Sequence, residues 1–145
     1  MKPLKNFKEF IIDKTVTEVS PDFSRASSLT KDSEKAYISL KEIMEKVGIN
    51  ENNINTMIKL CYDIVMDMIR AKMLLKGFKA EGIGAHEAEV SYLRELEFSE
   101  NDVQFCDQLR FFRNRIMYYG KNLDKDYLEK VLEFLDDIYN KLKNR

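Results

Sequence analysis

One stretch of this sequence concentrates side chains that can do chemistry. From Gln108 to Lys121 it reads QLRFFRNRIMYYGK. Laid on a helix at about 100° per residue, Phe105, Leu109, Phe112, Ile116 and Tyr119 gather on one side, a core face. Arg110, Arg113, Asn114, Tyr118 and Lys121 spread over the other half. No acid falls between Asp107 and Asp124, although the chain holds 25 Asp and Glu. The outer face is therefore expected to be cationic and rich in hydrogen-bond donors, with one phenol. Guanidinium and amide groups so arranged suit a phosphate or a nucleotide. The same spacing also suits a solvated face that meets acidic residues of a partner.

Other chemistries find little support. His86 is the single histidine. His86-Glu87 opens like a zinc-protease helix, but Val90 stands where the second histidine would be needed. Asp63 and Asp67 lie one helical turn apart and could grip a cation. With no further carboxylates at matching spacing, a solvated pair or an ion pair with Arg70 is the preferred reading. No metal site is expected. No phosphate loop, dinucleotide fingerprint or nucleophile elbow is present, so no cofactor is implied. Cys61 and Cys106 both sit inside apolar helical patterns and read as reduced core residues.

The elements that must position these groups are helices. Five glycines and two prolines, Pro3 and Pro21, leave the body of the chain almost unpunctuated. Ser20-Pro21-Asp22 marks a break and a helix start, and helical spacing runs from there to Val47, with Gly48 as its cap. The next helix, about Asn52 to Phe78, is apolar on most sides and should lie at the centre. Ala80–Gly84 reads as a flexible connection. His86–Leu96 forms a short helix. Ser99, with Asp102 three residues on, opens the helix that carries the arginines and ends near Tyr119, capped by Gly120. A last amphipathic helix spans about Asp126 to Lys143. Before residue 22, Phe7, Phe10 and Ile11 can line a short helix, and Lys14–Val19 reads as extended. This arm is expected to pack on the bundle or on a partner subunit.

At 145 residues, 44% hydrophobic and 34% charged, the chain fits one core. The division is an arm over 1–21 and a helical domain over 22–145. The formal charge of −1 gives no whole-molecule attraction for nucleic acid, so any such binding must come from a local patch. No run approaches the roughly 18 apolar residues of a membrane span. Met1–Phe10 lacks the apolar stretch of a signal peptide. The expectation is a cytoplasmic protein without membrane contact.

Arg113-Asn114 in a penultimate helix resembles the start of the HEPN signature, in which a polar residue follows an arginine and a histidine stands little more than one helical turn further on. Leu74-Leu75-Lys76-Gly77-Phe78 followed by Gly84-Ala85-His86-Glu87-Ala88 is similar to the loop and third-helix start of many HEPN proteins. The ending Tyr118-Tyr119-Gly120-Lys121 resembles a prokaryotic, largely archaeal branch. The similarity covers roughly residues 22–143.

The resemblance implies an all-α, up-down bundle of four to five helices that dimerises with its signature helices facing one cleft. Many HEPN proteins are metal-independent ribonucleases, in which the arginine stabilises the phosphate and the histidine moves protons. Others bind nucleotides without catalysis, or act as toxin-like partners of small nucleotidyltransferases. Here Tyr118 takes the histidine's place. An unperturbed phenol titrates near about 10 against about 6.5 for imidazole, a poor general base at neutral pH.

The expectation is a homodimeric module that binds nucleotide, RNA or a nucleotidyltransferase partner, with a degenerate nuclease motif. Arg110, Arg113, Asn114, Tyr118 and Lys121 would form its binding face. The alternatives are an endoribonuclease using Arg113, Asn114 and Tyr118, and a purely structural interaction protein.

Overall fold

The most apolar stretch of the sequence becomes the axis of the molecule. The computed structural model describes residues 2–119 and 122–145, apart from the side chains of residues 117–119. Its elements run α1 (Phe7–Ile12), β1 (Val16–Glu18), α2 (Phe23–Lys46), α3 (Ile54–Leu75), β2 (Phe78–Ala80), α4 (Ala85–Glu95), α5 (Glu100–Tyr119) and α6 (Lys125–Lys143). The fold is an all-α helical bundle. Helix α3 buries Ile58, Cys61, Ile64, Val65, Met66 and Ile69 at no more than 1% exposure and packs against α2, α4, α5 and α6. A helix apolar on most sides has to be surrounded in this way.

Helix starts follow local chemistry. The Asp22 carboxylate accepts the Arg25 amide at 2.9 Å, and Asp124 accepts the Tyr127 amide at 2.8 Å. Ser99 Oγ accepts from the Asp102 amide at 3.2 Å. Each satisfies a backbone donor that the first helical turn leaves unpaired. Gly120, expected to cap α5, and Lys121 lie outside the described residues.

Two expectations are corrected. The central helix does not run to Phe78. It ends at Leu75, and Phe78 enters β2, which pairs antiparallel with β1 in the register Val16↔Ala80, Thr17↔Lys79, Glu18↔Phe78. The reason sits at Gly77, whose φ is +80° and where a Cβ would stand 2.5 Å from the Val19 carbonyl oxygen. Only glycine allows the arm so close at that backbone angle. Leu75, the last residue of the helix, is 40% exposed. Ala80 likewise belongs to the ribbon rather than to a flexible connection.

The arm packs on its own bundle. Leu4, Phe7, Phe10 and Val16 belong to the main core cluster, and Phe7 meets the rings of Phe78 and Tyr92 edge-on. Arg94 of α4 fastens the segment by donating from Nη1 to the Lys5 carbonyl at 2.7 Å and the Leu4 carbonyl at 3.2 Å. No helix among the described residues is long and apolar enough to cross a membrane.

Candidate phosphate-binding face on helix α5

Helix α5 is anchored as its spacing requires. Val103, Cys106 and Leu109 are fully buried, and Ile116 nearly so. Phe105 packs against Phe134 at 4.6 Å, and Phe112 meets Tyr127 edge-on at 5.1 Å. Both cysteines are free and buried. Burial pushes the Cys61 thiol up to about 12 and raises that of Cys106 as well, so neither is a thiolate nucleophile at neutral pH.

With the apolar side fixed, the arginines separate into two environments. Arg110 does not join an open cationic face. Its Nε donates to Asp107 Oδ1 at 2.8 Å, its Nη1 lies 3.8 Å from Glu87 of α4, and the side chain is only 13% exposed. This corrects the sequence expectation. The acid-free interval begins just after Asp107, and Asp107 itself is 1% exposed. A carboxylate so placed demands a cation, and the arginine one turn further along the same helix supplies it.

Arg113 is arranged differently. Its guanidinium carbon lies 5.5 Å from the ring centre of Tyr62 on α3, a cation–π distance. Its Nε is enclosed and has no hydrogen-bond partner among the described residues. Among the described residues, no carboxylate forms an ion pair with it. The acids expected to hold it do other things: Asp67 pairs with Arg70 at 3.1 Å, and Asp63 is exposed. An aromatic face thus positions this cation without neutralising it. Asn114, next to it, is half-buried. Arg115 rests its guanidinium 5.6 Å from the Phe111 ring. Of the remaining predicted residues, the Tyr118 side chain and the whole of Lys121 lie outside the described residues.

Tyr62 links this face to a second polar group. Its hydroxyl is buried and lacks a hydrogen-bond partner among the described residues. Burial, then the nearby Cys106 and Glu89, raise its pKa, against the opposing charges of Arg110 and Arg70. It stays a neutral phenol. Glu89 of α4, 6% exposed, accepts from Arg70 Nε at 2.7 Å and faces His86 Nδ1 at 2.8 Å. Desolvation raises the Asp67 pKa even though Arg70 opposes the rise. The ion pair of Asp67 with Arg70 agrees with the sequence reading.

Glu89 itself was not anticipated, yet the signal was there. On a helix through Ala85–Glu95, Glu89 shares the stripe of Tyr92 and Leu93, three and four residues on. A carboxylate on an apolar stripe is a candidate for a buried ion pair.

Compared with known proteins, the chain matches no family model, no curated protein and no solved structure.

Proposed function

We propose that the chain is a HEPN-type helical module that binds a phosphodiester, as RNA or a nucleotide, through the C-terminal half of α5, and that it does so as a homodimer with its nuclease chemistry degenerate. The observation that carries this reading is Arg113, a guanidinium set over the Tyr62 ring with no carboxylate among the described residues paired to it. A cation already positioned but not neutralised gives a phosphate more than a flexible, ion-paired one does, because less order has to be imposed on binding. Asn114 adds donors beside it. Arg110, committed to Asp107, contributes positive potential and rigidity rather than a contact. Tyr118 stands where the resemblance calls for a histidine and is assigned recognition rather than proton transfer.

The test is fluorescence anisotropy with a labelled single-stranded RNA of mixed sequence, at two salt concentrations. Arg113→Ala should weaken binding by at least five-fold and flatten its salt dependence, since one phosphate contact is lost. Tyr62→Phe should bind as wild type, because the ring that places Arg113 remains. Tyr62→Leu should weaken binding. Unchanged affinity in a folded Arg113→Ala variant would refute the assignment.

A further inference from the structure

A second site is lined by no residue of α5. Helices α2, α3 and α4 and strand β2 enclose a cleft of about 290 Å³. That is the lower end of the range of small-molecule pockets. Leu29, Met73, Leu74 and Phe78 give it an apolar wall, and Arg25, Lys79 and His86 line its polar side.

The charges within it are not evenly spent. Both carboxylates that line the cleft, Asp67 and Glu89, are engaged by Arg70. Glu89 also fixes the imidazole. A carboxylate only accepts, so His86 carries a proton on Nδ1 and donates it to Glu89, with Arg70 Nη2 3.3 Å from the same nitrogen, and this holds the ring at the edge of the cleft. Lys79 has a single partner, the exposed Glu81, at 2.8 Å. The guanidinium of Arg25 has no partner among the described residues. Two exposed cations and an oriented imidazole therefore edge a hollow whose own acids are already matched. The opposite wall is apolar and includes an aromatic ring.

We infer that this cleft binds a small phosphate monoester bearing a flat ring, the chemistry of a nucleoside monophosphate. The ring lies along Leu29 and Phe78, and the phosphate meets Arg25 and Lys79, close to the His86 ring. A phosphate monoester carries close to two negative charges at neutral pH and three acceptor oxygens, which matches the two exposed cations, Arg25 and Lys79. Bare phosphate leaves the apolar wall wet, and a nucleoside leaves the cations unmatched, so each should bind more weakly than the combination. This inference does not depend on the role proposed for α5.

The chain reports on this site directly, because His86 is its one histidine and gives a single set of imidazole resonances. Adenosine 5′-monophosphate, inorganic phosphate and adenosine would each be titrated into the full chain while those resonances are followed by NMR. The expected result is a saturable shift with the monophosphate, at an affinity at least ten-fold above that of phosphate or adenosine. Arg25→Ala and Lys79→Ala, both at exposed positions, should each weaken it by three-fold or more. Imidazole resonances that do not respond to the monophosphate would overturn the inference. So would a response unchanged in the Arg25→Ala, Lys79→Ala double variant. A response abolished by Arg113→Ala would place the ligand on α5 and also overturn it.

Discussion

The Asp107–Arg110 pair decides how much of the arginine helix is scaffold and how much is available to a ligand. Asp107 is 1% exposed and Arg110 13%, with 2.8 Å between them. Removing one member of a buried pair strands the other in a medium that cannot solvate it, a loss of roughly 3–5 kcal/mol. For Asp107→Ala the figure should lie near the lower end, about 3 kcal/mol, because Glu87 at 3.8 Å still offers Arg110 a distant partner. For Arg110→Ala it should be higher, about 4 kcal/mol, since Asp107 then keeps no cation. At about 4 °C per kcal/mol for a chain of this size, these losses lower Tm by roughly 12–16 °C. The double variant Asp107→Leu, Arg110→Leu should recover much of the loss, since neither charge is left stranded.

Urea unfolding followed by far-ultraviolet circular dichroism measures wild type, these three variants and the double variant Asp107→Ala, Arg110→Ala. The coupling energy of the corresponding double-alanine cycle should exceed about 2 kcal/mol. Single losses below about 1 kcal/mol that simply add would refute the reasoning, because exposed and independent charges behave in that way. Arg110 would then return to the ligand-binding face.

Two further predictions concern the arm and the acidic side of α3. Gly77→Ala should cost at least 2 kcal/mol more than Gly82→Ala by the same unfolding measurement. Both glycines have φ of +80°, but a Cβ at Gly77 meets the Val19 carbonyl oxygen at 2.5 Å and one at Gly82 meets nothing, and overpacking costs about 1–3 kcal/mol beyond backbone strain. Equal costs would show that the close approach is unimportant. The raised pKa of Asp67 means that the folded state holds its proton more tightly than the unfolded chain does. Its contribution to stability is thus present below the ordinary value of 3.8 and is lost as pH rises through the folded pKa. Asp67→Asn should therefore gain stability relative to wild type between pH 3 and pH 7, and a difference that stays flat or runs the other way would contradict the assignment.

The helical architecture could be read from the sequence because it rests on local rules. Apolar residues at helical spacing, Asp22 and Ser99 at helix starts, and the near-absence of internal glycine and proline each act over a few residues. One strand of the ribbon was legible, since Lys14–Val19 reads as extended and β1 lies within it. Its partner was hidden because a strand of three residues carries no period, and Val16 pairs with Ala80, 64 residues further on. At the candidate site, the sequence separated the core rings of α5 from its polar residues. It did not separate Arg110 from Arg113, since both occupy the outer half of the same wheel. That distinction depends on what α3 and α4 place opposite them, a buried carboxylate in one case and the face of Tyr62 in the other. The His86–Glu89–Arg70 cluster was likewise only partly visible, because two helices contribute to it.

The way Arg94 clasps the carbonyls of residues 4 and 5, while Phe7 seats against Phe78 and Tyr92, imposes an order on assembly. The leading segment has no nearby surface to join and must wait until some eighty later residues have been added and folded. Closure of this kind is non-local and slow compared with helix pairing. Until it happens, Phe7 and Phe10 stay in water and the rings of Phe78 and Tyr92 lack their contact with Phe7. A nascent chain is then most vulnerable to aggregation at this arm.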